Sequence, residues 1–294
     1  MRYLCSMALV LFFALQGGVV AAETPDFDET KQLAEQGEAY AQFNLGTMYR
    51  HDQVVPQDFK EAVKWYRMAA AQGLAEAQSN LGVMYAQGEG VPQDFKEAEK
   101  WYRMAAAQGL AEAQSNLGVM YAKGEGVSQD FKEAVKWYLR AAAQGHAMAQ
   151  SNLGIMYGHG DGVTQDFKEA IKWYRLAAEQ GDAYAQSNLG AMYAQGQGIP
   201  EDFKEAVKWY RLAAAQGDVF AQNNLGVMYY QGLGDRQDYI IAYMWFNIAT
   251  ANGYAEAAKA RDVLAKKMTA AAIAKAQEMA RECSGSDYRD CGAK

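Results

Sequence analysis

The chain has 294 residues, half of them hydrophobic, and carries a net charge of −7 from 28 basic and 35 acidic side chains. A chain with net negative charge is repelled by the phosphate backbone of a nucleic acid, so nucleic acid is a poor candidate partner. With only three cysteines and three histidines, we expect neither a metal site nor a bound cofactor.

The first 22 residues have the pattern of a cleaved secretory signal. Arg2 supplies a short basic segment, residues 4–15 are apolar, and small residues close the segment. We expect the mature chain to begin at Glu23, which places the protein in the periplasm or outside the cell. An uncleaved membrane anchor is the alternative, but residues 16–18 interrupt an apolar run that is too short to span a bilayer. We therefore expect no stable membrane insertion after cleavage.

A repeat of 36 residues follows. The segment NLGVMYAQGEGVPQD at 80–94 returns almost unchanged three times and in a degenerate form twice more. Tryptophan recurs with the same period, at Trp65, Trp101, Trp137, Trp173, Trp209 and Trp245. Self-similarity at a fixed period of this length predicts an elongated solenoid rather than a single globular core.

The unit 74–109 predicts two helices and no strand. Apolar residues at helical spacing place helix A at about 75–87 and helix B at about 94–108. Asp94 is expected to cap helix B, with Glu97 favouring its first turn. The large aromatic residues of helix B are expected to pack in the core. Gly82 lies inside helix A, where glycine costs roughly 0.5–1 kcal/mol against alanine, so we expect a neighbouring helix to approach closely there.

The two glycines between the helices raise the question of a phosphate-binding loop. Such a loop follows a strand and leaves the next helix N-terminus open to the anion. Here Gly88 and Gly90 follow a helix, and the Asp94 carboxylate occupies the anion position. The glycines are therefore expected to make the turn of a helical hairpin.

The repeated pattern A-x-x-x-L-G-x-M-Y-x-x-G-x-G-V-x-x-D-x-x-x-A-x-x-W-Y-x-x-A-A-x-x-G resembles the Sel-one-like repeat (SLR) family, which is related to the tetratricopeptide repeat. The resemblance covers six units, at 38–73, 74–109, 110–145, 146–181, 182–217 and 218–253. It implies an all-α fold, a right-handed α-solenoid of helix-turn-helix repeats, which acts as a scaffold for protein–protein contacts. Bacterial members of the family are often exported.

The resemblance also implies an alternative function. A few cysteine-rich secreted members have been described as penicillin-binding or β-lactamase-like, so a hydrolase acting on cell-wall or β-lactam substrates is the runner-up. Those members carry a cysteine pair in each repeat, whereas no repeat of this chain contains a cysteine. No catalytic arrangement of serine or cysteine with His51, His146 or His159 suggests itself. A structural spacer in the cell envelope is a third possibility.

The two ends of the chain are expected to cap the array. Residues 26–36 resemble a shortened helix B within an N-terminal cap at 23–37. Two helices are expected near 254–267 and 270–283 within a C-terminal cap at 254–294. In an exported chain, Cys283 and Cys291 are an even and closely spaced pair, which favours a structural disulfide. A metal site would need further ligands, and no histidine follows His159.

Columns that vary between repeats are the candidates for partner binding. They lie on helix A at offsets of zero, seven and eleven residues from the first column, which is roughly one stripe. The first column is Tyr40, Glu76, Glu112, Met148, Tyr184 and Phe220, the second runs from Thr47 to Val227, and the third contains His51 and His159. Exposed aromatic residues are typical interface anchors. The alternative is neutral drift on a solvated surface.

The export hypothesis gives a direct prediction. Protein isolated from its native host should begin at Glu23, because the signal is removed during translocation. Intact-mass and N-terminal peptide mass spectrometry would check this, and detection of residues 1–22 on the envelope-associated protein would contradict it.

Overall fold

The computed structural model describes residues 26–52, 54–286, 288 and 291. The predicted signal segment and its cleavage site lie outside this part of the chain. The described residues form fifteen helices and no strand. The helices are α1 (Phe27–Glu35), α2 (Ala39–His51), α3 (Phe59–Ala71), α4 (Ala75–Gln87), α5 (Phe95–Ala107), α6 (Ala111–Lys123), α7 (Phe131–Ala142), α8 (Ala147–His159), α9 (Phe167–Glu179), α10 (Ala183–Gln195), α11 (Phe203–Ala214), α12 (Val219–Gln231), α13 (Tyr239–Ala251), α14 (Ala255–Ala265) and α15 (Ala270–Gly285).

The helices are arranged as a solenoid of hairpins. Each even-numbered helix from α2 to α12 is a helix A, and it packs against both the helix B that follows it and the helix B that precedes it. Consecutive A helices also contact each other from α6 to α12. The predicted all-α solenoid is therefore confirmed.

The helix boundaries follow from capping groups. The Asp94 carboxylate accepts hydrogen bonds from the backbone N–H groups of Lys96 and Glu97, at 2.9 and 3.1 Å, so that α5 begins at Phe95. Gly109 follows the C-terminal end of α5 with φ +93°, the left-handed conformation that suits glycine after a helix. Both boundaries agree with the sequence expectation to within one residue.

A close contact between glycine and an aromatic ring joins the two helices of each hairpin. A Cβ atom added at Gly118 would lie 2.4 Å from Cε1 of Tyr138, which is buried in helix B of the same repeat. Every helix A has the same contact: Gly46 with Tyr66, Gly82 with Tyr102, Gly118 with Tyr138, Gly154 with Tyr174, Gly190 with Tyr210 and Gly226 with Phe246. The expected close approach is thus confirmed, and the neighbour is a ring.

Buried glutamines connect one repeat to the next. The Gln78 side chain in α4 donates to the Ala70 carbonyl near the end of α3, at 3.2 Å. Gln108, which follows α5, donates to the Gln78 side-chain oxygen and to the Gly73 carbonyl, both at 2.9 Å. The Ala70 carbonyl also accepts from the Gly73 backbone N–H, so the Gln78 side chain adds a second donor at the end of α3. Equivalent side-chain pairs are Gln42–Gln72, Gln114–Gln144, Gln150–Gln180, Gln186–Gln216 and Gln222–Asn252.

The second glycine of each turn has a further role that the sequence interpretation missed. A Cβ atom at Gly126 would lie 2.4 Å from the carbonyl oxygen of Phe95, the first residue of the preceding helix B. The turn of one repeat therefore rests on the backbone of the repeat before it. In the first repeat the corresponding residue is Val54, which is exposed.

The C-terminal helices close over α13. Helix α15 packs on α13, where Tyr243 and Met244 are buried, as expected for a helix B with apolar residues at polar positions. On α14, Arg261 and Asp262 replace the leucine and glycine that pack against helix B in the repeats. The array therefore ends on a polar helix face.

Cys283 and Cys291 form a disulfide-capable pair near this end, with Cα atoms 4.9 Å apart. The neighbouring Tyr288 hydroxyl accepts a hydrogen bond from the Asn252 side chain at 2.9 Å. Asn252 also donates to Gln222, so the C-terminal segment is joined to the last member of the glutamine series. Among the described residues, no helix is both long and apolar enough to cross a membrane.

The glycine–ring contact predicts opposite effects for two glycine-to-alanine substitutions. Gly118→Ala should lower the free energy of unfolding by about 1–3 kcal/mol, because the methyl group overlaps the Tyr138 ring. Gly158→Ala is the matched control in α8, where the nearest atom to the new Cβ is 3.9 Å away. It should raise stability by up to about 1 kcal/mol through helix propensity. Urea denaturation of both variants checks this, and equal stabilisation by both would contradict the contact.

Candidate binding surface

The helix-A stripe consists of Tyr40, Glu76, Glu112, Met148, Tyr184 and Phe220, each the second residue of its helix A. Four of these side chains are large and apolar, yet their exposed fractions are 65% for Tyr40, 55% for Met148, 50% for Tyr184 and 55% for Phe220. Glu112 is exposed and Glu76 is half-buried. At such exposure the apolar members of the stripe are outside the cores of the repeats.

Two stripe residues interact with the N-cap residue of the helix A in the next repeat. The rings of Phe220 and Tyr254 lie edge to face with centroids 5.1 Å apart, and Tyr254 is the N-cap of α14. The negative charge of Glu112 acts on His146, the N-cap of α8, by favouring a higher pKa. Phe220 therefore contacts Tyr254 within the chain while more than half of its side chain stays exposed.

The N-cap residue changes along the array. Asp182 and Asp218 each accept a hydrogen bond from a backbone N–H three residues later, at 2.7 Å. Asp182 also accepts from the Ser151 hydroxyl at 3.2 Å. In the repeats where Leu74 or Leu110 stands at this position, no side chain caps helix A. The electrostatic character beside the stripe therefore differs from repeat to repeat.

His146 is the N-cap residue of α8, and its side chain forms a capping hydrogen bond. Its Nδ1 atom accepts a hydrogen bond from the Ala149 backbone N–H at 3.3 Å, which requires an unprotonated nitrogen. Burial lowers the pKa of His146, and the negative charge of Glu112 opposes this effect. His146 is therefore held neutral more strongly than an exposed histidine.

Two buried tyrosine side chains of helix B interact with stripe residues. Burial raises the pKa of Tyr102 and Tyr174, and the neighbouring stripe residues Glu112 and Tyr184 respectively raise it further. The Tyr66 hydroxyl lies 3.1 Å from the Thr47 hydroxyl. With raised pKa values these phenols stay protonated near neutral pH, so they can donate hydrogen bonds but do not supply a phenolate.

One asparagine per repeat also lies on this surface, and the sequence interpretation missed it. The asparagine column is Asn44, Asn80, Asn116, Asn152, Asn188 and Asn224, four residues after each stripe residue. Side-chain hydrogen bonds join Asn80 to Tyr66 and Asn224 to Tyr210, so the column also contacts the helix-B tyrosines. All six side chains are only half-buried. Their spacing from the stripe was the available signal, since residues four apart share a helix face.

The two other histidines of the sequence prediction, His51 and His159, are exposed at the C-terminal ends of α2 and α8. They lie about 16 Å along the helix axis from the stripe residue of the same helix. His159 Nδ1 is 3.5 Å from an Asp161 oxygen. His51 and His159 are separated by two intervening repeats, so the structure does not bring them together. In the described part of the chain, no three potential metal-binding side chains cluster.

Comparison with known families and structures fits this architecture. The Sel1 repeat model matches residues 39–74, 75–110, 111–146, 147–182, 183–218 and 219–254. A protective antigen of uropathogenic Escherichia coli with an SLR fold is 40% identical, with a TM-score of 0.77 over 90% of this chain. The match spans only 57% of that antigen. A Sel1 repeat protein from Oxalobacter formigenes is 35% identical, with a TM-score of 0.68 over 76% of this chain and 93% of the other. Comparison with curated protein sequences returns no match.

The His146 environment predicts a pH-dependent stability. The unfolded chain binds a proton more readily than the folded chain at this site, so the free energy of unfolding should fall as pH drops below about 6.5. His146→Asn is the control, because asparagine is a good N-cap that does not titrate in this range. Urea denaturation between pH 8 and 5 should show a smaller loss of stability in the variant. Parallel pH profiles would contradict the assignment.

Proposed function

Because the chain belongs to the Sel1 repeat family, whose repeats generally mediate protein–protein interactions, we propose that it is a scaffold that binds a protein or peptide partner through its helix-A surface. The observation that carries the proposal is the exposure of Tyr40, Met148, Tyr184 and Phe220. Exposed aromatic side chains are typical anchors of protein interfaces, and these four are the most exposed large apolar residues of the A helices.

The proposal places partner recognition on the helix-A stripe, together with His51 and His159 at its far edge. Consecutive A helices from α6 to α12 are in contact, which supports a continuous row of stripe residues from Glu112 to Phe220. The stripe varies between repeats while the residues beneath it are repeated. A surface of this kind presents different side chains from a constant framework, which suits recognition of one partner along its length.

We further propose that the protein is exported and capped at both ends. The secretory pattern of residues 1–22 and the closely spaced Cys283 and Cys291 support export, because disulfides persist in oxidising compartments. Residues 23–37 and 254–294 would act as the caps. The packing of α1 on α2 and the polar outer face of α14 support this role.

A capture experiment tests the proposed surface. Tagged wild-type protein is incubated with an envelope extract of its native host, cross-linked, and compared with the double variant Met148→Ala/Tyr184→Ala. Capture of the partner should be lost, because both side chains would be anchors. Folding should change by no more than about 0.5 kcal/mol for each exposed site.

The matched control is Met104→Ala/Leu212→Ala. These two side chains are also apolar and 42% and 44% exposed, but they lie on B helices. This variant should capture the partner as the wild type does. Loss of capture in the helix-B variant, with retention in the helix-A variant, would place the interface on the other face. Nitrocefin turnover by the purified protein would instead favour the hydrolase alternative.

A further inference from the structure

We propose that the B helices form a docking surface for an anionic lipid bilayer. The surface, here called the helix-B face, consists of the exposed residues of α3, α5, α7, α9 and α11. The protein binds with this face at the level of the lipid headgroups and does not span the bilayer. The A helices then lie on the side of the array away from the membrane, where they stay open to a partner.

Basic side chains are concentrated on these five helices. Each helix carries two lysines and one arginine, all of them exposed, so the five helices hold 15 of the chain's 28 basic residues. In α5 they are Lys96, Lys100 and Arg103. Residues four and seven apart lie on one side of a helix, so the three side chains share a face. A chain with a net negative charge therefore has one basic surface.

The acidic residues of the same helices leave one lysine per repeat without a partner. In α5, Glu97 forms an ion pair with Lys100 at 3.3 Å, Glu99 pairs with Arg103, and the Asp94 carboxylate accepts from backbone N–H groups. The first lysine of each helix forms no ion pair with any residue that the structure describes. This row is Lys60, Lys96, Lys132, Lys168 and Lys204. These ammonium groups are available to anionic headgroups.

An apolar row runs parallel to the lysine row. The position eight residues after the first lysine holds Met68, Met104, Arg140, Leu176 and Leu212. The four apolar side chains are between 40% and 44% exposed, and Leu139 beside Arg140 is 37% exposed. At a rise of 1.5 Å per residue, the two rows are about 12 Å apart along each helix. Lysines beside exposed apolar side chains are typical of surfaces that bind at a membrane interface.

The last helix B shows what this face becomes when protein covers it. In α13 the position of the second lysine holds Met244, and the apolar position holds Ile248, each only 1% exposed. Helix α15 packs on α13. Where another helix of the chain covers the face, the lysine is thus replaced by an apolar residue. The five helices that keep their lysines therefore suit an occupant that meets charge and does not bury it.

The uniformity of the helix-B face favours a lipid surface over a protein partner. The helix-A stripe changes from repeat to repeat, whereas the helix-B face has nearly the same residues five times. A protein presents different side chains at different places, but a bilayer presents the same headgroups everywhere. The apolar row further favours a bilayer over a soluble polyanion, which has no apolar phase for it to enter.

Sedimentation of the mature protein with lipid vesicles tests this proposal. Vesicles of phosphatidylcholine alone are compared with vesicles that also contain phosphatidylglycerol. We expect binding to the anionic vesicles, which weakens as salt screens the charges. Each basic residue near an anionic surface contributes about fivefold to binding. Lys96→Gln/Lys132→Gln/Lys168→Gln should therefore weaken binding by roughly a hundredfold.

The matched control is Lys123→Gln/Lys259→Gln/Lys266→Gln. These lysines are also exposed, but they lie on α6, on α14 and directly after α14. The change in net charge is the same, and affinity for the vesicles should stay close to that of the wild type. If both triple variants lose affinity equally, net charge alone governs binding and the helix-B face is not the docking surface.

Two further variants separate the apolar row and the helix-A surface. Met104→Ala/Leu212→Ala should weaken binding by a similar factor at low and high salt, because the lost contacts are apolar. Met148→Ala/Tyr184→Ala should bind vesicles as the wild type does. Membrane docking is thereby measured independently of the proposed partner surface, and either proposal can fail alone.

Three other results would overturn the proposal. Equal binding to neutral and anionic vesicles would show that the lysine row does not select the surface. Full affinity in the Met104→Ala/Leu212→Ala variant would show that the apolar row stays outside the bilayer. Absence of binding to anionic vesicles would exclude a lipid occupant. If the Lys96→Gln/Lys132→Gln/Lys168→Gln variant then failed to capture an acidic envelope protein, the helix-B face would be a protein interface instead.

Discussion

The contact between a helix-A glycine and a helix-B ring sets the geometry of every repeat. The ring lies where a Cβ atom would be, so the two helix axes are closer than any other residue would allow. The same ring also belongs to a small core, which helix B of one repeat forms with the buried alanine and leucine residues of helix A of the next repeat. Glycine is unfavourable inside a helix, and burial of the aromatic side chain offsets this cost.

The hairpins are held in series by polar contacts as well as apolar ones. A buried glutamine bonds to the carbonyl of the preceding helix B, and a second glutamine bonds to the first. An unpaired amide in this position would be costly, so the bonds require that a repeat sits on its predecessor in one orientation. The same orientation aligns successive A helices and places the stripe and the asparagine column in register. The framework and the candidate interface therefore have one structural origin.

Much of this architecture follows from the sequence because the same information is given six times. The helix boundaries depend on local interactions such as the Asp94-type caps, and local interactions can be predicted from a single sequence. The surface was harder to assign because exposure depends on what the neighbouring repeats cover. The edge-to-face contact of Phe220 with Tyr254 is an example, because Tyr254 belongs to the next helix pair. Contacts between repeats of this kind are not contained in the pattern within one repeat.

The turn glycine that packs on the preceding helix B makes the two ends of each repeat different: one end carries the glycine and the other carries the helix start that it contacts. Every full unit contains a turn glycine equivalent to Gly126, which contacts the preceding unit, and a helix start equivalent to Phe95, which is contacted by the following unit. A tandem duplication of 36 residues therefore introduces both halves of a new junction at once and needs no compensating change elsewhere. Arrays of this kind can lengthen or shorten during evolution by whole units, with the terminal segments carried along intact.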